Sequence, residues 1–189
     1  YFNKKRAKVF VPLCGKSRDM LWFSQQGCDV LGVELSSSAC HQFFKEAGLS
    51  YQVEKGEGFE IFLSDKIKIL CGDIFDLSPS RLWDINFVYD RAALIALPPK
   101  LREQYSVLIA DICRQSGAQV LLVGREDFVN REGPPYDVSK EEVERLYGKD
   151  FYIATLEVAE RVSSRDIHLK VLEAAYRLTP KGLKSVQDL

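Results

Sequence analysis

The fold of this chain follows from two stretches, Lys8-Val-Phe-Val-Pro-Leu-Cys-Gly-Lys16 and Val30-Leu-Gly-Val-Glu34. The first opens with an apolar run that predicts a strand ending in a turn, and residues 16–26 then carry the apolar spacing of a helix. The second predicts another strand, which ends on an acid. In a parallel sheet this strand–helix–strand unit places Gly15 and Glu34 beside each other at the carboxyl edge, where doubly wound sheets bind nucleotide-like ligands.

Length and composition describe an ordinary globular protein. The 189 residues suffice for one domain with one core, and 46% of them are hydrophobic and 28% charged. A formal net charge of −1 provides no field that would attract nucleic acid or an anionic membrane surface. No apolar run approaches the roughly 20 residues that a membrane-spanning helix needs. We therefore predict a single domain over residues 1–189, in a cytoplasmic monomer whose partner is a small molecule rather than nucleic acid or a membrane.

Cysteine and histidine usage argues against a metal site. His41 and His168 are the only histidines, and the five cysteines contain no CxxC pair; they are Cys14, Cys28, Cys40, Cys71 and Cys113. An odd number of scattered cysteines is typical of a reduced, cytosolic protein. Because the sequence opens at Tyr1 and enters its first strand soon afterwards, we also expect that a segment precedes it in the natural protein.

Strands and helices alternate along the rest of the chain. Helices are predicted from Ser37 to about Ala47, between an N-cap at Ser36 and a stop at Gly48, and over 99–116 and 139–147. Ser139 and Glu142 have the spacing of a capping box. The predicted strands are a hairpin within 50–63, then 67–71, 84–89 and 120–123, and a closing antiparallel pair at 151–161 and 169–178, with one turn at 74–77. This order predicts an α/β fold with a doubly wound, mostly parallel sheet and a terminal antiparallel hairpin.

The turn after the first strand indicates which nucleotide-like ligand fits. Dinucleotides require GxGxxG and a P-loop requires GxxxxGK[ST], whereas this turn contains the single glycine Gly15. An adenosyl ligand without phosphates needs only close backbone approach, an acid for the ribose hydroxyls and a slot for adenine. Gly15, Glu34 and the Gly72-Asp73-Ile74 turn supply these features from three strand ends. Each also has a simpler interpretation: a turn glycine, a surface acid, and a cap on the 74–77 turn.

Five sequence blocks together resemble one known family, the thiopurine S-methyltransferases, over about residues 8–180. The blocks are Phe10-Val-Pro-Leu-Cys-Gly-Lys16, Gly32-Val-Glu34, Cys71-Gly-Asp-Ile-Phe-Asp-Leu77, Tyr89-Asp-Arg-Ala-Ala-Leu94 and Gly133-Pro-Pro-Tyr136. The resemblance implies a class I methyltransferase fold and S-adenosylmethionine as methyl donor. It also implies acceptors that are small aromatic or heterocyclic thiols, with selenium or tellurium compounds for some members.

The resemblance also implies roles for individual residues. Leu13 would flank the methionine part of the donor, Glu34 the ribose, and Asp73 and Ile74 the adenine. The full set expected at the cofactor is Leu13, Cys14, Gly15, Glu34, Leu35, Gly72, Asp73, Ile74 and Arg91. Some members carry Ser at the position of Asp73. The family's N-terminal segment, which closes over the cofactor, would precede Tyr1.

On the acceptor side, the positive charge of Arg91 would favour and position the thiolate, a catalytic role, and Pro135 and Tyr136 with Pro134 would wall the substrate pocket. Their simpler interpretations are a salt bridge from Arg91 to Asp90 or Asp19, and a rigid surface turn. Cys14 has no neighbouring histidine in the sequence, so we do not interpret it as a nucleophile. A halide or inorganic thiol as acceptor, and a cofactor-binding protein without activity, remain alternatives.

Overall fold

The computed structural model describes residues 6–56, 58–126, 133–162 and 170–182. They fall into two compact units that divide between Tyr89 and Asp90. The first contains β1 (Lys8–Val11), α1 (Asp19–Gln25), β2 (Asp29–Glu34), α2 (Ser37–Ala47), β3 (Gln52–Gly56), β4 (Phe59–Leu63), β5 (Ile67–Cys71) and β6 (Phe87–Asp90, whose last residue opens the second unit). The second contains α3 (Ala93–Ala96), α4 (Pro99–Ser116), β7 (Gln119–Glu126), α5 (Lys140–Tyr147), β8 (Phe151–Val162) and β9 (Lys170–Pro180). The single domain over 1–189 stays a prediction.

The first unit is built on a mostly parallel sheet with strand order β3-β4-β5-β2-β1-β6. Strand β1 pairs in parallel with β2 and with β6, and β2 pairs in parallel with β5. The hairpin of β3 and β4 adds to β5 in the antiparallel direction. One sheet face carries the buried core cluster, in which Val9, Val30 and Ile69 pack with side chains of α1 and α2. Strand β1 is a continuous apolar run from Val9 to Val11 because both of its faces are covered, and Val9, Phe10 and Val11 are all buried.

Local capping signals predict α2 correctly. The hydroxyl of Ser36 accepts a hydrogen bond from the backbone N–H of Ala39, and Gly48 ends the helix in the left-handed conformation, with φ of 65°. By contrast, α1 begins at Asp19 rather than at residue 16, because residues 12–18 form a turn. The strand predicted at 84–89 begins at Phe87, three residues later than expected. The side chain of Asn86 accepts from the backbone N–H of Lys8 there.

The second unit contains an antiparallel sheet of order β7-β9-β8, so the predicted closing hairpin is confirmed. Helix α4 has its predicted bounds, and Leu101 lies outside its buried face, with 38% exposure. Arg102 is buried in its place; its guanidinium donates to the carbonyl of Leu97 and to the carboxylate of Glu142.

Only half of the predicted capping box forms at α5. Ser139 accepts from the backbone N–H of Glu142, as expected for an N-cap. The Glu142 carboxylate, however, accepts from Arg145 and Arg102. Because these charge-assisted partners are stronger donors than a backbone N–H, they take the side chain away from the box. Within the described ranges, no helix combines the length and apolarity that a membrane crossing needs.

Candidate functional site

Three strand ends of the first unit meet at one edge of its sheet. Strands β1, β2 and β5 are adjacent and parallel, so their carboxyl ends lie together. The backbone N–H of Gly15 donates to Oε2 of Glu34 at 2.9 Å, and the N–H of Gly72 donates to the backbone carbonyl of Glu34 at 2.9 Å. The predicted proximity of Gly15 and Glu34 is confirmed. Glu34 is the residue that joins the loops after β1 and β5.

The turn after β1 has an unusual backbone conformation. Leu13 has a φ of 43° and Gly15 a φ of 50°, both in the left-handed region. A non-glycine residue rarely adopts this conformation unless the surroundings hold it there. Here the N–H of Cys14 donates to the carbonyl of Val33 and the N–H of Ser17 to the carbonyl of Cys14, each at 2.9 Å. These bonds fix the turn against β2, with Leu13 partly exposed at its tip.

The Glu34 carboxylate is held in place and still has acceptor capacity. Its Oε2 accepts from Gly15 and its Oε1 from the backbone N–H of Ser36 at 2.8 Å. An ionised carboxylate offers about four lone-pair sites, so each oxygen can accept one further hydrogen bond. Two adjacent hydroxyl groups, such as those of a ribose, match this arrangement. The side chain is partly exposed, which leaves it open to a ligand.

Two glycines, Gly32 within β2 and Gly72 directly after β5, allow close packing beneath the site. A Cβ atom at Gly32 would lie 2.6 Å from Sγ of Cys14, and one at Gly72 would lie 2.5 Å from a ring carbon of Phe59. Both distances are shorter than ordinary Cβ contacts, so a larger residue at either position would displace the Cys14 or Phe59 side chain. Sequence reasoning missed the first of these contacts, although an isolated glycine within a strand pattern is a signal of close approach.

Cys14 is a packing residue in this arrangement. It is 5% exposed and sits over Gly32. Burial, and next the nearby Glu34 carboxylate, raise the pKa of its thiol well above the usual value. The thiol is therefore protonated at neutral pH, which agrees with the interpretation that it is not a nucleophile.

The loop after β5 contains two further residues that are predicted at this edge, Asp73 and Ile74. Ile74 is buried at 5% exposure, whereas Asp73 is exposed. Oδ1 of Asp73 accepts from the backbone N–H of Phe75 at 3.0 Å and so caps the short 3-10 helix Ile74–Asp76, which is the single turn predicted there. This is the simpler interpretation of Asp73, and it leaves its second oxygen available. Leu35 is 71% exposed beside Glu34.

Arg91, Pro135 and Tyr136 belong to the second unit, and the structure describes them there. Arg91 is exposed immediately after β6. Tyr136 is partly buried: its backbone N–H donates to the carbonyl of Ile95 at 2.7 Å, and the guanidinium of Arg102 lies 5.9 Å from its ring centroid. The 133–136 turn is thus tied to the segment around α3, and one face of the tyrosine ring has a cationic neighbour.

Asp90 is a buried acid that sequence reasoning considered only as a partner for Arg91. It is 1% exposed, and its Oδ1 accepts from the backbone N–H groups of Ala93 at 3.0 Å and Leu94 at 3.2 Å. Its Oδ2 accepts from the hydroxyl of Tyr105 at 2.7 Å. Burial raises the pKa of Asp90 to about 6, although these three donors favour the ionised form. Asp90 therefore fixes the turn that carries Arg91.

No cluster of three or more potential metal ligands occurs among the described residues. The groups available at the sheet edge are the backbone of the turn after β1, the carboxylates of Glu34 and Asp73, which both have spare acceptor capacity, and apolar side chains. Such a set can bind a hydroxyl-bearing, uncharged organic group.

Comparison with known proteins identifies the family. The family model of thiopurine S-methyltransferase matches residues 2–179. The chain is similar to a thiopurine S-methyltransferase from Marinobacter nauticus, with 46% identity over 145 residues, which is 77% of this chain and 66% of that protein. It is similar to another from Nitrosospira multiformis, with 49% identity over 144 residues, or 75% of this chain and 64% of that protein. The match thus spans just under two thirds of the length of each of these relatives.

A solved structure supports the fold. A protein from Methanosarcina mazei described as an S-adenosylmethionine-dependent methyltransferase superposes with a TM-score of 0.68 at 14% identity, covering 94% of each chain. The predicted α/β fold class is confirmed by this likeness and by the mixed sheets with their terminal antiparallel hairpin. The chain belongs to the thiopurine S-methyltransferase family.

Proposed function

We propose that the chain transfers the methyl group of S-adenosylmethionine to the sulfur of small aromatic or heterocyclic thiols. The observation that carries the proposal is the Glu34 carboxylate, held by Gly15 and Ser36 and left with one acceptor site on each oxygen. Family membership and the names of the relatives support the same donor and acceptor classes.

In this proposal the first unit binds the donor. Glu34 accepts from the two ribose hydroxyls, and Leu13, Cys14 and Gly15 present backbone beside the methionine portion. The adenine ring lies between apolar side chains, with Leu35 and Ile74 on its faces. The free oxygen of Asp73 accepts from the adenine amino group, next to Gly72. Support comes from the placement of all these residues at one sheet edge.

The reaction requires positioning more than acid–base chemistry. The thiol loses its proton to solvent, the thiolate sulfur forms a bond to the methyl carbon, and the bond between that carbon and the sulfonium sulfur breaks. A cation and an anion become two neutral thioethers, so a site of low dielectric favours the transition state. Holding the two sulfurs in line can account for about 7–11 kcal/mol of the barrier. No dedicated base is needed, since aromatic thiols ionise readily.

The second unit supplies the acceptor side in this proposal. Arg91 would hold the thiolate by charge, and the turn that presents it is fixed by Asp90. Pro135 and Tyr136 would wall the acceptor pocket, the tyrosine stacking on a planar ring with the face turned away from Arg102. These assignments rest on the match to the family's motifs.

A methyl-transfer assay tests the proposal. The protein is incubated with S-adenosylmethionine and either 6-mercaptopurine, selenite or iodide, and the methylated products are identified by mass spectrometry. We expect S-methylation of 6-mercaptopurine, with Arg91→Ala reducing kcat and Arg81→Ala, at an exposed arginine of the first unit, as the matched control. Methylation of selenite or iodide alone would replace the proposed acceptor class. Donor binding without any methylated product would favour the cofactor-binding protein without activity.

A further inference from the structure

A second cavity lies in the first unit, at the opposite end of its strands from the proposed donor site. The connection between β5 and β6 contains only 3-10 turns, Ile74–Asp76 and Pro79–Leu82, in place of the helix that usually covers a parallel sheet. A cavity of about 500 Å³ remains between this connection and the sheet. Its volume falls within the range of small-molecule pockets, roughly 300–1,000 Å³.

The walls of this cavity are mainly aliphatic. Leu31 and Leu70 line it from the sheet, and Leu77, Leu82 and Ile85 line it from the connection. Leu31 and Leu70 lie on the sheet face opposite the core cluster. They alternate along β2 and β5 with Val30, Ile67 and Ile69, and these three residues belong to that cluster. The apolar body of a ligand would find contacts on both sides.

A lysine stands in the middle of this apolar face. Lys68 is paired in register with Leu31 on one side and with Leu63 on the other, and all three line the cavity. It is exposed, and its side chain forms no hydrogen bond or ion pair with any residue in the described part of the chain. A cation flanked by leucines within a strand gains nothing from its neighbours, whereas an anionic ligand group would pair with it.

The other charged residues that line the cavity are Lys8, Asp29, Asp65, Lys66, Arg81 and Asp84. Lys8 is paired with Asp84. Asp29 and Asp65 lie at the level of Lys66, two residues before Lys68 on β5, since the backbone N–H of Val30 donates to the carbonyl of Lys66. The acids therefore face the outer lysine rather than Lys68.

We propose that this cavity binds an amphipathic organic anion, with its hydrocarbon or aromatic body against Leu31, Leu70 and Leu82 and its anionic group on Lys68. Leu31, which is in register with Lys68, lies three residues or about 10 Å before Glu34 along β2. The proposed anion partner is thus separate from the Glu34 carboxylate, and this proposal does not depend on the proposed donor site.

Calorimetric titration with 8-anilinonaphthalene-1-sulfonate tests this site, and N-phenyl-1-naphthylamine, the same ring system without the sulfonate, is the matched neutral probe. We expect one saturable site for the sulfonate and weaker binding of the neutral probe. Lys68→Gln should weaken sulfonate binding about tenfold, as for loss of one charge-assisted contact. Lys55→Gln, at an exposed lysine of β3 outside the cavity, should leave it unchanged, and Leu31→Trp should block it by filling the cavity.

Amide chemical-shift changes on adding the sulfonate should map to Leu31, Lys68 and Leu70, and the affinity should not change with saturating S-adenosylhomocysteine. The proposal would be overturned if Lys68→Gln and Lys55→Gln changed sulfonate affinity equally, or if sulfonate binding did not saturate. Amide chemical-shift changes confined to Gly15 and Gly72 would also overturn it. So would a dimer, seen by sedimentation, that the sulfonate dissociates, because a second copy would then be the occupant. Failure of S-adenosylhomocysteine to bind affects the proposed function alone.

Discussion

Glu34 and Asp90 are both acids at the carboxyl ends of parallel strands, yet their surroundings differ. Glu34 is partly exposed and accepts from two backbone N–H groups, one on each oxygen. Asp90 is 1% exposed and accepts from two backbone N–H groups and a buried tyrosine hydroxyl. Glu34 can therefore accept further hydrogen bonds from a ligand. The hydrogen bonds that Asp90 accepts all come from groups inside the protein. Position in the topology alone does not separate a binding acid from a structural one.

Replacement of the two acids should therefore have different effects on folding stability. Asp90→Ala leaves the N–H groups of Ala93 and Leu94 and the hydroxyl of Tyr105 buried without an acceptor, so we expect the free energy of unfolding to fall by about 3 kcal/mol. Glu34→Ala should cost less than about 1 kcal/mol, because water can reach the freed N–H groups. Urea denaturation measures both.

Asp90→Asn is the control for this comparison. Its amide oxygen can accept from both N–H groups and its amide nitrogen can donate to Tyr105, so the variant should be at least as stable as the wild type at pH 7. A small loss for Asp90→Ala, or equal losses for the alanine variants of both acids, would contradict the distinction.

The pH dependence of stability sharpens the same distinction. The pKa of Asp90 is raised from 3.8 to about 6 in the folded state, so folding favours the protonated form. Stability from this group therefore increases as the pH falls through 6 and is lost as the pH rises. As the pH falls from 7 to 4.5, the free energy of unfolding of the wild type should therefore rise by about 2 kcal/mol relative to that of Asp90→Asn. Parallel profiles for the two proteins, in urea titrations at each pH, would show that Asp90 is not held in this way.

The packing beneath Glu34 provides a third test. Gly32→Ala places a Cβ against Cys14 and should displace the turn that bonds to Glu34, which lowers the free energy of unfolding by about 2 kcal/mol and weakens S-adenosylhomocysteine binding. Cys14→Ala in the same chain removes the clashing sulfur and should restore part of both losses. Denaturation and calorimetry measure them, and a double variant no better than Gly32→Ala would exclude the contact as the cause.

Asp73 should give the smallest effect. Asp73→Ser keeps the cap on the 3-10 helix but removes the second oxygen, which in our proposal accepts from the adenine amino group, so S-adenosylhomocysteine affinity should fall about threefold to tenfold, as for loss of one hydrogen bond. Asp73→Ala removes the cap and should cost about 1 kcal/mol of stability. An unchanged affinity in the serine variant, by calorimetry, would mean that the carboxylate does not contact the adenine.

The features that sequence reasoning predicted depend on short-range signals. Ser36 and Gly48 bound α2 because cap preferences act within one turn, and the proximity of Gly15 to Glu34 follows from the handedness of one strand–helix–strand unit. Sequence reasoning did not predict the burial of Arg102, because that burial depends on Glu142, forty residues away in the chain. The contact of Cys14 with Gly32 and the cavity near Lys68 likewise depend on how distant segments pack.

The central claim is that Glu34 is the residue on which donor binding depends. Calorimetric titration with S-adenosylhomocysteine of the wild type, Glu34→Gln and Glu34→Ala tests it directly. The wild type should bind at one site, and Glu34→Ala should lose about 100-fold in affinity, as expected for two charge-assisted hydrogen bonds. Glu34→Gln should lie between them, since one acceptor oxygen remains. Equal affinity of all three proteins, each shown to be folded, would contradict the claim.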